Sequence, residues 1–570
     1  MRRMKGAAGL LTALLLAFQL SAQTFALANE DNGIKVVPVN FTHNGYSYEI
    51  EGVVKSTDGD YQIKSPARLA AQKLPSAYDP RSSGEITTVK DQASTGACWA
   101  FSALACAEQD LIKKGLENPS AEFSVPALVL SSNSGTATGK DDFSSGGNWL
   151  FAASALANGQ GLCYEDYEPF LESGTENMIV SENKKSVSVY RLNYVMELSS
   201  TTQVKRKIME LGAVSASYFA GNGYMNHNNT AYYDPDASKN TIINHSVTVV
   251  GWDDNYSKDN FRYKPANNGA WLVKGSWGAD QDNDGFYWVS YDEAEFGQFC
   301  CYDFEESCDN TYHYSKMTGY VVNASNDGSV YGANVFTAKA DEKLDKAGFM
   351  YVGKTGSADY TLSVYTDVSD SDPIGVLETQ ISGSVSANGF YTVDFPEDIL
   401  LEEGEKYSIS VKFSGDSGRG YLLAESDRTS KAQSGQSYVS LNGKYWSDVG
   451  ADKTDSIGSL FIYAYTDDTA KPDKSSLETT LAKYGTLAGC EREANNARKV
   501  LADENASKND ISNAQKLLIS AAEEHDEALV ITTEAQWESF AKRVSSGESF
   551  EGKLVTLEAD LDFDEKLSHP

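Results

Sequence analysis

At 570 residues the chain is too long for one hydrophobic core and implies about three or four domains. Hydrophobic residues make up 41% and aromatics 11%, which excludes a wholly disordered chain. The formal net charge of -33 argues against a nucleic-acid ligand or an anionic membrane surface, since either would be repelled.

Arg2, Arg3 and Lys5 precede an apolar run from Leu10 to Leu20, and Ala26-Leu27-Ala28 follows as a small-x-small cleavage site. This is the layout of a secretory signal peptide over 1–28, and it implies a secreted or extracellular protein with no membrane span after cleavage. The apolar run is short for a bilayer span, which leaves an uncleaved anchor as the weaker reading. Residues 29–73 are polar and strand-like, with Tyr46, Tyr48 and Ile50 alternating, and read as a linker or cover. From Leu74-Pro75 to about 305 helical and strand patterns mix, as in an α+β domain. Cys98 to Lys114 reads as a helix with Phe101, Leu104, Ala105, Leu111 and Ile112 on its apolar face, and Trp149 to Ala157 as a second helix. Val247 to Trp252, Ala270 to Lys274 and Phe286 to Tyr291 read as strands.

Between 306 and 468 short strands alternate with turns. Leu362 and Val364 interleave with Thr361, Ser363 and Tyr365, and Tyr407, Ile409, Val411 and Phe413 recur at every second position, which suggests a β-sandwich. Asn442-Gly443, between Tyr438–Leu441 and Lys444–Trp446, signals a two-residue hairpin turn. Residues 471–530 return to helical spacing: Leu477 and Leu481, then Ala497, Val500 and Leu501, then Ile511, Ala514, Leu518 and Ala521 behind a Ser507 cap, a three-helix module. Residues 531–570 hold a helical piece (Trp537, Phe540, Val544) and a strand (Leu554 to Leu561), and read as the start of a further β-rich repeat.

Seven cysteines (Cys98, Cys106, Cys163, Cys300, Cys301, Cys308 and Cys490) do not make a disulfide scaffold in so long a chain, and the odd number leaves one thiol without an internal partner. Cys300, Cys301 and Cys308 lack the companions of a zinc spacing, so strand cysteines or one local disulfide are expected there, and no metal. Asp280-Gln281-Asp282-Asn283-Asp284-Gly285 imitates half of a calcium loop, but the twelfth position is Tyr291, so a solvated turn is the expectation.

The chemistry concentrates in three blocks. In Asp91-Gln92-Ala93-Ser94-Thr95-Gly96-Ala97-Cys98-Trp99-Ala100-Phe101 a thiol stands at the first turn of a helix, where the dipole favours thiolate. Cys106, two turns on, reads as an inert buried thiol. Gln92, six residues earlier, can return its amide beside Cys98 to bind a developing oxyanion. In Asn244-His245-Ser246-Val247-Thr248-Val249-Val250-Gly251-Trp252 a histidine enters an apolar strand, the candidate general base. The third block is Trp271-Leu272-Val273-Lys274-Gly275-Ser276-Trp277-Gly278.

Together these strings resemble the papain-like cysteine peptidases over residues 74 to 300. Leu74-Pro75-Ser76-Ala77-Tyr78-Asp79-Pro80-Arg81 resembles the family's mature start and makes 29–73 a pro-segment or linker. Gly146-Gly147 resembles its pair of glycines where substrate backbone docks, and Trp149 and Ser217 its specificity-pocket positions. The resemblance implies Cys98 as nucleophile, His245 as base, Gln92 in the oxyanion hole, Gly146, Gly147 and Trp149 at the substrate, and no cofactor. Two positions depart from the pattern: Thr95 replaces a disulfide cysteine, and Gly275 replaces the asparagine that holds the imidazole. Restoring asparagine at 275 is therefore expected to raise turnover. The 306–468 stretch resembles the lectin-like domain that follows such peptidases in bacterial surface proteins, and 471–530 a FIVAR-type module.

The implied function is a secreted endopeptidase acting on protein or peptide substrates, with a carbohydrate or cell-surface ligand for the β-rich domain and Tyr445 and Trp446 as stacking candidates. The competing expectation is a peptidase fold impaired at Gly275 that serves as a surface adhesin or binding module.

Overall fold

The computed structural model describes most of residues 73–531, the strands Ile34–Val37, Val39–His43, Tyr46–Ile50 and Val555–Leu557, and Trp537 and Phe540; 133–142 and 171–186 are the longest internal stretches outside the described residues. The signal peptide over 1–28, most of 29–73, the Asp280 to Asn283 part of the acidic turn and most of 531–570 also lie outside them.

Helix α1, Cys98–Lys114, is buried without interruption from Cys98 to Leu111. Its small, alanine-rich faces let it pack on every side, against the strands His245–Asp253 and Gly297–Glu306 and the helices α2 (Val125–Ser132) and α3 (Trp149–Ala157). Gly115 ends α1 in the left-handed region, and its N–H bonds the carbonyls of Ile112 and Leu111. Asn148 caps α3, its side chain accepting from Leu150 N and Phe151 N. Helix α4, Thr201–Leu211, opens with a full Ser200–Gln203 capping box.

One twelve-stranded sheet runs through the molecule. Its central order is Tyr190–Leu198, Gly297–Glu306, Val214–Tyr218, His245–Asp253, Ala270–Lys274 and Phe286–Ser290. Beyond Tyr190–Leu198 the sheet continues into the β-rich region, through Gly389–Leu401, Glu342–Tyr351, Ile462–Asp468 and Asn310–Tyr312. The junction pairs Gly389, Phe390 and Tyr391 with Met196, Val195 and Tyr194. It needs a glycine, because a Cβ on Gly389 would stand 2.1 Å from the Val195 carbonyl oxygen. The two regions thus share a sheet and one hydrophobic core, which linear sequence patterns do not reveal.

The expected sandwich is present as a six-stranded sheet, Val376–Val385 to Ser447–Asp448, packed on those extending strands. Phe413 meets Phe349 at 5.2 Å and Tyr351 at 5.0 Å across the two layers. A four-stranded sheet completes it, and Ile34–Val37 adds to that sheet antiparallel to Tyr320–Ser325. The Asn442-Gly443 turn is longer than expected: Val439 pairs with Ser447 and Tyr438 with Asp448. Asn442 Oδ1 accepts from the N–H groups of Lys444 and Tyr445, closing a local turn instead of a two-residue hairpin. Tyr445 is 81% exposed there, whereas Trp446 packs edge-on to Tyr331 at 6.4 Å.

Three helices follow, α5 (Ser475–Tyr484), α6 (Glu491–Ala502) and α7 (Lys508–Glu527), around Leu477, Cys490, Ala494, Ala497, Ile511 and Leu518. Ser507 precedes α7, its hydroxyl accepting from Asp510 N while Asp510 accepts from Ser507 N. The trio docks by Arg492 over the Tyr167 ring at 4.6 Å and by Asn509 and Asn513 donating to the Ser188 carbonyl. Cys300, Cys301 and Cys308 are free thiols, so the local disulfide considered for them is not formed. Cys300 and Cys301 are buried strand residues. Among the described residues no helix is long and apolar enough to cross a membrane.

The Gly389 contact carries the first prediction. Gly389→Ala should lower stability by about 1–3 kcal/mol, since the strand must move off Val195 to admit the methyl group. Urea unfolding followed by fluorescence would measure it, and an unchanged midpoint would show that the junction does not depend on that approach.

Candidate active site

Cys98 is the first residue of α1, delivered by a loop tied to a distant segment. Asp91 bridges to Trp277, Gln92 N donates to the Ser276 carbonyl at 2.7 Å and Gly278 N to the Lys90 carbonyl at 3.1 Å. Ala93 takes a left-handed φ of 50°, and its N–H bonds Asp91 Oδ1 at 2.8 Å. The Gln92 amide is oriented from both ends: Oε1 accepts from the Ser276 hydroxyl at 2.5 Å, and Nε2 donates to the Thr95 carbonyl at 2.8 Å. One N–H of Nε2 remains for a ligand. Thr95 serves this turn, its hydroxyl donating to the Gln92 carbonyl at 2.8 Å.

His245 opens its strand opposite Tyr218, and the neighbouring pair is Ser246 with Ser217, whose hydroxyls lie 3.1 Å apart. Asn244 locks the entry, its side chain bonding both the N–H and the carbonyl of Ala220. The Cys98 thiol lies 3.9 Å from the Gly96 carbonyl oxygen, and hydrogen bonding from Ser246 and from the Trp99 and Cys98 backbone acts to lower its pKa. These donors would stabilise a thiolate, yet burial dominates and pushes the Cys98 thiol above its ordinary value. Burial likewise pulls His245 down to about 3. The enclosure therefore favours a neutral thiol and a neutral imidazole at rest, and desolvation outweighs the helix dipole that favours thiolate.

The imidazole is held by aromatic packing. Trp277 stacks on it at 4.3 Å and 7° between planes, and Tyr218 meets it edge-on at 5.9 Å. His245 Nε2 is buried without a hydrogen-bond partner. Gly275 is not in the left-handed region, so its backbone admits a side chain. The space is tight: a Cβ there would lie 3.2 Å from the Gly285 carbonyl oxygen and 3.3 Å from Tyr287 Cε1, so these neighbours would have to give by a few tenths of an ångström. The Tyr287 ring fills the place beside Gly275, and its hydroxyl bonds that of Tyr218 at 2.8 Å.

Of the candidate substrate residues, Gly147 packs on the residue after Cys98. A side chain at Gly147 would run into the Trp99 indole, 2.3 Å from its Cβ position, so the 146–149 segment lies directly against the residue after the thiol. Trp149 follows, half-buried, its indole N–H donating to Glu197 at 3.1 Å.

Beneath the site lies a charged network that sequence patterns did not suggest. Glu108, on buried α1, accepts from the Thr87 hydroxyl at 2.6 Å and Phe123 N at 3.2 Å, and lies 3.5 Å from Lys90 and 3.8 Å from Lys274. Lys274 immediately precedes Gly275, and burial pulls its pKa down against the pull of Glu108. A lysine ending the apolar run Trp271-Leu272-Val273 was the one available signal. A cavity of about 20 Å³ lined by Ser102, Glu108, Ser246, Lys274 and Ser276 adjoins it, room for one water. Among the described residues no cluster of histidine, cysteine or acidic side chains could hold a metal.

Residues 74–323 match the family model "Papain family cysteine protease", and 311–466 match "Lectin like domain". The chain carries a papain-family cysteine protease domain followed by a lectin-like domain. Over 225 residues the chain is 28% identical to procathepsin L of Felis catus, covering 39% of this chain and 62% of that protein. It spans about three fifths of cathepsin K of Gallus gallus and cathepsin S of Bos taurus. Among solved structures it resembles the clostridial cysteine protease Cwp84 after propeptide cleavage, with a TM-score of 0.61 and 28% identity, covering 69% of this chain and 99% of that one. It also resembles the cysteine protease and lectin-like domains of Cwp84, a surface layer associated protein of Clostridium difficile. There the TM-score is 0.60 and the identity 27%, covering 74% of this chain and 92% of that one. That protein, like this chain, combines a cysteine protease domain with a lectin-like domain.

Two outcomes follow from this geometry. Iodoacetamide labelling of Cys98 should be slow at mildly acidic pH and climb as the pH passes the ordinary thiol value of 9.0; the more deeply buried Cys106 should stay unlabelled in native protein. Peptide mapping across pH checks this, and a labelling plateau already at pH 6 would show a thiolate–imidazolium pair instead. The structure also alters the expectation for Gly275→Asn. Alone it should give little gain in kcat, because the Tyr287 ring already crowds the Cβ position. Added to Tyr287→Val it should raise kcat about tenfold over Tyr287→Val, about 1.4 kcal/mol of barrier. Equal kcat for the two would show that an amide there does not help His245.

Proposed function

We propose that the protein is a secreted cysteine endopeptidase that cleaves protein or peptide amide bonds through a thioester, with Cys98 as nucleophile, His245 as general base and Gln92 as oxyanion donor. The observation that carries this reading is that three chain-distant segments meet around one thiol: the loop and helix start from Gln92 to Cys98, the Ser246 end of the His245 strand, and Ser276, which bonds Gln92. As Cys98 Sγ attacks the substrate carbonyl carbon, its proton passes to His245, and the oxyanion is met by Gln92 Nε2–H and the Cys98 backbone N–H. His245 then protonates the leaving amine, and a water deprotonated by His245 splits the thioester. Because both groups are neutral at rest, the proton moves during attack and not before it.

The stretch before Leu74 acts as a pro-segment, and its strand Ile34–Val37 on the lectin-like sheet gives it an anchor. Trp252 Nε1 bonds the Pro75 carbonyl and Asp254 N that of Ser76, so the new terminus has a docking edge. The lectin-like domain is a binding module for carbohydrate or cell-surface ligands, and 471–530 is a FIVAR-type spacer. Export by the signal peptide and likeness to a surface layer associated protein support an extracellular or surface location. The unpartnered His245 Nε2 is what favours the second reading, a fold impaired at Gly275 and retained for adhesion.

The test is hydrolysis of a generic protein substrate under reducing conditions by wild type and Cys98→Ala. Wild-type cleavage should fall to background in the variant, and a new N-terminus near Leu74 should form only with Cys98 present. No Cys98-dependent cleavage in folded protein would leave the binding reading.

A further inference from the structure

Trp149 is joined to the lectin-like domain by a continuous hydrogen-bonded chain. Its indole N–H donates to Glu197 Oε1 at 3.1 Å, and Glu197 Oε2 accepts from Asn388 Nδ2 at 3.1 Å. Asn388 is 5% exposed and belongs to the turn before Gly389, in the lectin-like domain. Its carbonyl accepts from Glu197 N at 2.9 Å, and its Oδ1 accepts from Gly353 N at 2.9 Å. The turn is placed by the Gly389–Met196 pairing, one residue along from Glu197. At the other end, Trp149 stands two residues past Gly147, which lies on the Trp99 ring next to Cys98. An indole whose N–H is drawn back to a carboxylate keeps its flat face for apolar contact.

We propose that Glu197 and Asn388 are positioning residues for Trp149, so that the lectin-like domain shapes the wall of the protease cleft and its preference for bulky apolar substrate side chains. This rests on the protease reading above. Glu197 alone would leave one carboxylate oxygen desolvated, and the Asn388 amide supplies its missing donor. Without it, the carboxylate turns toward other donors and the indole loses its fixed rotamer.

The experiment uses the full chain and fluorogenic peptides carrying leucine or alanine at each of the two positions before the scissile bond. Asn388→Ala should cut the leucine-over-alanine preference about fivefold, through KM and with kcat within about twofold, while Cys98 alkylation keeps its rate. Trp149→Phe has no N–H to hold, so adding Asn388→Ala to it should change the preference no further. A general loosening of the fold would persist in that background. Unchanged preference in Asn388→Ala, or an equal change in the Trp149→Phe background, overturns the positioning role while leaving the protease intact. Absence of Cys98-dependent hydrolysis overturns the protease reading, and this one with it.

Discussion

Because α1 is buried from Cys98 to Leu111, its acidic residues must find partners inside the protein, and those partners are what hold the candidate site together. Glu108 draws in Thr87, Lys90 and Lys274, which fixes the strand that carries Gly275 and Ser276. Asp110, its carboxyl raised to about 7 by burial, accepts from Phe304 N and pairs with Lys114, which also reaches Asp303. These contacts grip the helix near the far end of its buried run, so the position of Cys98 at its start is set by contacts about three turns away. Removing one member of such a network leaves a charge without its counterpart, which costs far more than the pair contributes.

The same burial decides the chemistry at rest. A thiolate and an imidazolium each have to be solvated, and the site offers the thiolate two donors from Ser246 and one from Trp99 but offers the imidazolium none at Nε2. A family amide at 275 would have supplied that partner. Tyr287 stands there instead, bonded to Tyr218, and the ring of His245 is kept in place by Trp277 and Tyr218. Packing can orient a neutral ring as firmly as a hydrogen bond can. It does nothing for the positive charge that appears when the ring takes a proton, and the cost of Gly275 falls on that step.

Much of this was legible in linear sequence. The helices at Cys98–Lys114 and Trp149–Ala157 coincide with their apolar spacing, and Ala270–Lys274 with its apolar run. The motif blocks that singled out Gln92, Cys98 and His245 are the ones the fold brings together. What stayed hidden depends on distance along the chain. Glu108 and Lys274 are 166 positions apart in the numbering, and each alone looks like an ordinary helix or strand-end residue. The expectation of a thiolate at Cys98 differs from the structure for a related reason: the helix dipole is visible in sequence, whereas desolvation is a property of everything packed around the site. The Asn442-Gly443 turn differed because the asparagine side chain captured two backbone donors, a local alternative to the tight hairpin.

The shared sheet changes how the two domains should be regarded. Were the lectin-like domain merely tethered, the strand Tyr190–Leu198 would end the protease sheet as an exposed edge with unpaired backbone groups. Gly389–Leu401 satisfies that edge, and Phe390, Tyr463 and Tyr465 enter the same core as Leu192, Val195 and Tyr302. Tyr465 reaches further still, its hydroxyl bonding the Ala157 carbonyl at the end of α3 while Arg191 lies over its ring at 4.6 Å. Helix α3 is therefore gripped by the lectin-like domain at both ends, at Trp149 through Glu197 and Asn388, and at Ala157 through Tyr465. Strand pairing and hydrogen bonds thus give a continuous physical path from that domain to the segment beside Cys98.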